Sequence, residues 1–120
     1  GAKKVTFVEK DLMALKTLKK NINNLKIENY SEICPTEIVA CIKKFNKEKF
    51  DIIFLDPPFA ESKYINDLKI IKNSNMCLEK HLIIIHREQK TDEDLKYILD
   101  VMTVKRYGRS KIIFGTLQTR

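Results

Sequence analysis

The stretch FDIIFLDPPF, Phe50 to Phe59, decides how the rest of the chain is read. Phe50 to Leu55 is a continuous apolar run of strand length, the pattern of a strand buried on both faces in a parallel sheet. It ends abruptly at Asp56-Pro57-Pro58-Phe59. Proline has no amide hydrogen, so Pro57 and Pro58 cannot continue a central ladder. The pair also stiffens the exit. A stiff exit holds the Asp56 carboxylate and its neighbouring carbonyls as fixed acceptors, with the flat Phe59 ring beside them.

Acceptors next to a flat ring suit a planar group bearing an NH2, such as the exocyclic amine of a nucleobase. The nitrogen lone pair of such an amine is delocalised into the ring, which makes it a poor nucleophile. Acceptors on both N–H bonds favour a more tetrahedral nitrogen and free the pair for attack, which stabilises charge that develops in the transition state. Stacking on Phe59 would hold a base taken out of its helix or loop. The plain alternative is an ordinary strand-to-loop exit, because Asp-Pro commonly begins a turn.

Working outward, apolar blocks alternate with amphipathic ones. VTFV (Val5 to Val8) reads as a strand. Leu12, Leu15, Leu18, Ile22 and Leu25 then recur at helical spacing behind Asp11, a natural N-cap. A short strand fits Asn29 to Ile33, and Pro35-Thr36 opens a second helix carrying Ile38, Ile42 and Phe45. Tyr64, Ile65, Leu68 and Ile71 mark a third helix, and Leu82 to Ile85 a further buried strand. Thr91-Asp92-Glu93-Asp94 has the form of a capping box and predicts a fourth helix through Leu95, Ile98 and Leu99. Val101 to Tyr107 and Lys111 to Leu117 flank Gly108-Arg109-Ser110 as a hairpin, with Gly108 free to take positive φ. This order predicts an α/β fold, a mostly parallel sheet with a C-terminal antiparallel hairpin. Ligands in such sheets sit at the carboxyl ends of the strands. That rule points to Glu9-Lys10 and to Asp56 through Phe59.

The 120 residues predict a single domain, residues 1–120, and 43% hydrophobic content supports a core. The net charge of +7 favours a polyanionic partner, nucleic acid first, although lysine-, asparagine- and isoleucine-rich chains also arise in AT-biased genomes. No apolar run approaches the roughly 18 residues that span a bilayer. GAKKVTF lacks a signal-peptide pattern, so a cytoplasmic location is expected. The three cysteines, Cys34, Cys41 and Cys77, form no C-x-x-C, and His81 and His86 are not spaced as zinc partners for them. Buried free thiols and no metal are expected.

Glu9 ends the first strand, where an acid can accept hydrogen bonds from ribose hydroxyls or simply cap the following helix. In KRYGRSKIIF, Lys105, Arg106, Arg109 and Lys111 surround a turn that also carries Tyr107. Such a hairpin can neutralise phosphates and stack on a base, or it can serve only as a charged edge that blocks aggregation.

GAKKVTFVEKD, FDIIFLDPPF and RYGRSKIIF, in this order and spacing, resemble the bacterial 16S rRNA guanine-N2 methyltransferases of the small-subunit methyltransferase D family. The resemblance runs from end to end and implies a Rossmann-like class I methyltransferase fold. It implies S-adenosylmethionine as donor and the exocyclic N2 of a guanine in small-subunit rRNA as acceptor, so rRNA or the small ribosomal subunit is the implied partner. On that pattern Glu9 holds the donor's ribose, with Lys10 beside it. Asp56 and the Pro57 carbonyl bind the amine, Pro58 stiffens the turn and Phe59 flanks the base. Arg106, Tyr107, Arg109 and Lys111 become the RNA contacts. The methyl passes from sulfonium to nitrogen in one in-line displacement.

Two departures qualify the resemblance. The family carries an Asp after its third strand, near the donor's adenine; here the segment is CPTEI, so Thr36 or Glu37 serves, or neither, and Glu37 is the preferred candidate. The family also places a strand and a Gly-rich donor loop ahead of GAKKV, whereas the three glycines here are Gly1, Gly108 and Gly115. The expectation is a sheet with its first strand missing and two unpaired edges, at roughly 1–3 kcal/mol for each buried polar group left unsatisfied. Such a chain would re-pair, borrow a strand from a partner chain, or be an incomplete piece with poor donor binding. A DNA adenine-N6 methyltransferase and a truncated, non-catalytic RNA-binding fragment are the competing readings.

Overall fold

Val5–Val8 forms β1 and Ser31–Cys34 forms β2, paired in parallel with Val5 opposite Ser31 and Val8 opposite Cys34. Parallel neighbours need a crossover, and α1 (Leu12–Leu25) supplies it. Asp11 starts that helix as expected: its Oδ2 accepts from the Ala14 amide at 2.8 Å. The apolar stripe buries Leu15 and Ile22, while Leu12 and Leu25 at the helix ends stay exposed. With so few glycines in the chain, the left-handed residue that ends α1 is Lys26, at φ 57°. α2 (Ile38–Phe45) follows and buries Cys41 and Phe45.

The computed structural model describes residues 1–45, 48–58 and 60–119. It divides into two units, Gly1–Asn46 and Lys47–Arg120. The elements above belong to the first. The second is a four-stranded sheet in the order β3-β4-β6-β5. β3 (Phe50–Leu55) pairs in parallel with β4 (Cys77–Glu88) across the crossover helix α3 (Tyr64–Ser74). β5 (Leu99–Tyr107) and β6 (Ser110–Leu117) form the antiparallel hairpin, with β6 against β4. Gly108 turns that hairpin at φ 55°, the left-handed value its lack of a side chain permits.

The alternation of β4 sets the layers of this unit. Ile83, Ile85 and Arg87 are buried on one face, in register with Gly115, Ile113 and Lys111 of β6. Tyr64, Leu68 and Ile71 of α3 are buried too, as are Leu95, Ile98 and Leu99. His81 ties β4 to β6: its Nδ1 lies 2.7 Å from the Leu78 carbonyl and its Nε2 accepts from the Leu117 amide at 2.9 Å.

Four expectations need correction. β3 is not buried on both faces: Ile52 and Phe54 are 58% and 59% exposed. The strand stands at the edge of its sheet with β4 as partner, and only the Ile53 and Leu55 face matches the buried face of β4. Leu82 and Ile84 share the more open face and are half-buried rather than fully buried. The fourth helix is absent. Residues 95–99 make a single turn, with the Ile98 and Leu99 amides both donating to the Leu95 carbonyl, and then enter β5. The capping-box side chains are used elsewhere, for Thr91 Oγ1 donates to the Glu88 carbonyl and Asp94 Oδ1 accepts from the Lys96 amide, while Glu93 between them receives Arg87 and Tyr64. Finally, Cys34 and Cys41 are joined as a disulfide rather than left as thiols. The turn between β2 and α2 brings their Cα atoms to 6.1 Å, within bridging range. Cys77 remains free and half-buried, and that burial pushes its thiol pKa up.

Gly115 offers a direct test of this packing. A Cβ there would stand 2.6 Å from the Asp100 carbonyl oxygen of the neighbouring strand, a backbone atom that cannot swing aside. Gly115→Ala is expected to lower stability by about 1–3 kcal/mol. Urea unfolding at matched slope measures it, and an unchanged midpoint would show that the strands separate freely there.

Candidate functional site

The Asp56-Pro57-Pro58 turn leaves the carboxyl end of β3, and β4 holds it with two consecutive residues. On one face His86 Nδ1 lies 2.9 Å from Asp56 Oδ1. On the other, Arg87 Nη1 donates to the Pro58 carbonyl at 3.1 Å, which also accepts from the Glu61 amide at 3.0 Å. Successive residues of a strand point to opposite faces, so one dipeptide grips both ends of the turn. Asp56 itself is exposed and Pro57 half-buried. Phe59, the expected base platform, lies outside the described residues.

Arg87 is 2% exposed. A guanidinium that deep needs partners for its charge and its N–H groups. Nε donates to Glu93 Oε1 at 2.7 Å, and the Tyr64 ring lies 4.7 Å from the guanidinium carbon. The Tyr64 hydroxyl donates to the same Glu93 oxygen at 2.8 Å. Burial alone would push the Glu93 carboxyl up. Hydrogen bonds from Tyr64, Arg87 and Thr91, with the Arg87 charge, outweigh it and hold the group below its usual range. Burial pushes the Tyr64 phenol the other way, well above its ordinary value, and the Glu93 carboxylate adds to that rise. The Asp56-Pro57-Pro58 turn therefore rests on α3, β4 and the 89–98 segment through one buried cation.

In the first unit, Glu9, Lys10 and Glu37 come together at the carboxyl ends of β1 and β2. Lys10 Nζ pairs with Glu37 Oε1 at 2.9 Å, and both side chains are exposed. Glu9 is half-buried, and its Oε2 accepts from the Lys10 and Asp11 amides at 2.9 and 3.1 Å. Glu9 thus performs the capping role, with its carboxylate fixed at the strand end by the same bonds. The Glu37 carbonyl accepts from the Ala40 and Cys41 amides, so Glu37 also anchors the start of α2. A polar, acidic rim at a strand end fits ribose hydroxyls, which donate to carboxylates.

The hairpin residues divide. Arg106, Tyr107 and Arg109 are exposed around the turn. Arg106 reaches Gln89, and Arg109 Nη2 lies 3.6 Å from Glu88 Oε1. Lys111 is half-buried and donates to the Thr91 carbonyl, fixing the 89–98 segment. Reading the sequence missed His86, Arg87, Tyr64 and Glu93. The available signal was a His-Arg pair closing an apolar strand, where a buried strand ordinarily continues apolar.

A family model described as conserved hypothetical protein 95 matches residues 1–116. Ribosomal RNA small subunit methyltransferase D of Buchnera aphidicola is 33% identical over 85 residues, covering 71% of this chain and 44% of that protein. The chain spans about half the length of the curated relatives it matches. A conserved hypothetical protein of Streptococcus pyogenes superposes with TM-score 0.83 at 24% identity, over 96% of this chain and 72% of its own. A methyltransferase from Geobacter sulfurreducens superposes with TM-score 0.67 at 15% identity, over 96% of this chain and 59% of its own. The fold is that of the Rossmann-like class I methyltransferases. No helix among the described residues is long and apolar enough to cross a membrane.

The lowered Glu93 carboxyl has a consequence for stability. Its folded-state pKa lies below the unfolded value of about 4.3, so the stability it adds is present above that pH. That contribution is lost as pH falls through the lower folded value. Glu93→Gln is expected to lower the urea midpoint at pH 7, with the gap from wild type narrowing toward pH 3. A gap that stays constant with pH would overturn this assignment.

Proposed function

The chain belongs to the conserved hypothetical protein 95 family, and from that membership we propose that its full-length protein is an S-adenosylmethionine-dependent N-methyltransferase. The acceptor is the exocyclic N2 of a guanine in small-subunit rRNA, in line with the name of the Buchnera relative. One observation carries the reading: the Asp56-Pro57-Pro58 turn at a strand end, held on both faces by His86 and Arg87.

The sulfonium donor, when bound, supplies an electrophilic methyl group. The residues of the chain do the rest. Asp56 and the Pro57 carbonyl accept the two N–H bonds of the target amine and sharpen its lone pair toward the methyl. Phe59 flanks the base and keeps it out of its stack. Glu9 takes ribose hydroxyls, with Lys10 and Glu37 beside it on the adenosine side. Arg106, Tyr107 and Arg109 meet the RNA backbone and bases, with Lys111 bracing the segment behind them. The place of β3 at the edge of its sheet supports a further strand beside it in the working protein, from the same polypeptide or a partner chain.

Asp56→Ala in the full-length protein is expected to abolish transfer of a labelled methyl into small-subunit RNA while donor affinity stays within about tenfold, since binding energy for the donor lies elsewhere. Unchanged turnover would refute the role of Asp56. Label entering duplex DNA instead would favour an adenine-N6 enzyme, and no donor binding by calorimetry a non-catalytic RNA-binding protein.

The double substitution Arg106→Glu with Arg109→Glu is expected to weaken RNA binding and flatten its salt dependence, by roughly 0.7–0.9 in log–log slope per lost phosphate contact. Filter binding across a salt series reads both quantities. An unaltered slope would remove the hairpin from the RNA surface.

A further inference from the structure

We propose that His86 is a positioning residue for the acceptor carboxylate: it holds one oxygen of Asp56 and leaves the other aimed at the substrate amine. This rests on the reading of Asp56 as the amine acceptor.

The sheet puts the two residues side by side. Leu55 pairs with Ile85, and Asp56 and His86 follow them on adjacent parallel strands. The His86 side chain is 26% exposed and the Asp56 side chain 58%, with 2.9 Å between Nδ1 and Oδ1. A ring seated in the sheet thus steadies a carboxylate that opens to solvent. An ionised carboxylate only accepts hydrogen bonds. The nitrogen facing Asp56 must therefore carry the hydrogen, so Nδ1–H donates to Oδ1. In the neutral ring that bond selects the tautomer whose lone pair lies on Nε2.

The stoichiometry follows. Asp56 offers two oxygens, and His86 engages Oδ1. Oδ2 and the Pro57 carbonyl are left as two acceptors for the two N–H bonds of a primary amine. A carboxylate free to rotate would present either oxygen over a range of directions, and misplacement of a reacting group by about 1 Å can cost on the order of a hundredfold in rate. Arg87, next along β4, holds the Pro58 carbonyl from the opposite face, so the turn cannot drift toward or away from the imidazole without breaking that bond.

Two measurements test the proposal. In the ligand-free chain, nitrogen-15 spectra of the His86 ring are expected to show hydrogen on Nδ1, hydrogen-bonded to the carboxylate. Asp56→Ala should erase that hydrogen bond. An Nδ1 found without hydrogen in the wild-type chain overturns the geometry, whatever the activity. In the full-length protein, His86→Leu is expected to slow single-turnover methyl transfer about a hundredfold, with donor affinity unchanged. His86→Asn carries an amide N–H close to the place of Nδ1–H and should recover the rate to within about tenfold of wild type. A His86→Leu protein at the wild-type rate, or a His86→Asn protein as slow as His86→Leu, overturns the role. A wild-type protein that transfers no methyl overturns the functional reading and the role with it, while the tautomer result still judges the Asp56–His86 bond by itself.

Discussion

A guanidinium buried to 2% exposure cannot be left unpaired, because the desolvated charge would cost several kcal/mol. Arg87 meets that demand with partners from three places in the chain: Glu93, the Tyr64 ring and the Pro58 carbonyl. Removing any one leaves a polar group stranded in a low-dielectric core. The second unit is organised by that requirement. It ties the amino end of α3, the end of β4, the 89–98 segment and the Asp-Pro-Pro turn into one network.

That network explains why a segment with helix-capping chemistry does not become a helix. Thr91 and Asp94 match a capping box, and isolated sequence logic favours a turn of helix behind them. Glu93, between them, is drawn instead to a buried cation and a phenol. Thr91 Oγ1 bonds the Glu88 carbonyl, and Lys111 takes the Thr91 carbonyl. Local propensity is worth tenths of a kcal/mol per residue, whereas a buried charge pair decides several.

Apart from the fourth helix, the order of strands and helices was legible, because hydrophobic periodicity reports it directly. Leu15 and Ile22 were placed on the buried side of α1, Leu68 and Ile71 on that of α3, and Asp11 as a cap, all from spacing. The burial of β3 was not. Ile52 and Phe54 have the composition of a doubly covered strand, but coverage depends on which neighbour occupies each side, and in its sheet β3 has β4. The cysteines failed for the same kind of reason. Their count and spacing carried no pairing signal, and only the turn after β2 brings Cys34 and Cys41 within reach.

The sequence by itself determined the alternation of elements, the α/β class, the proline-stiffened acid at the end of β3 and the charged hairpin. Each is written in residues that act on their own backbone or within one turn of it, so neighbours in sequence suffice. The tertiary structure decided what holds that acid. Asp56 meets His86 across 30 positions of chain, and Arg87 reaches Pro58 across 29. Such distances are closed only by parallel strand pairing, whose register sets which residue of β4 faces the turn. No local pattern records that register. It emerges when Ile53 and Leu55 settle beside Ile83 and Ile85 and leave a histidine and an arginine, on opposite faces, next in line.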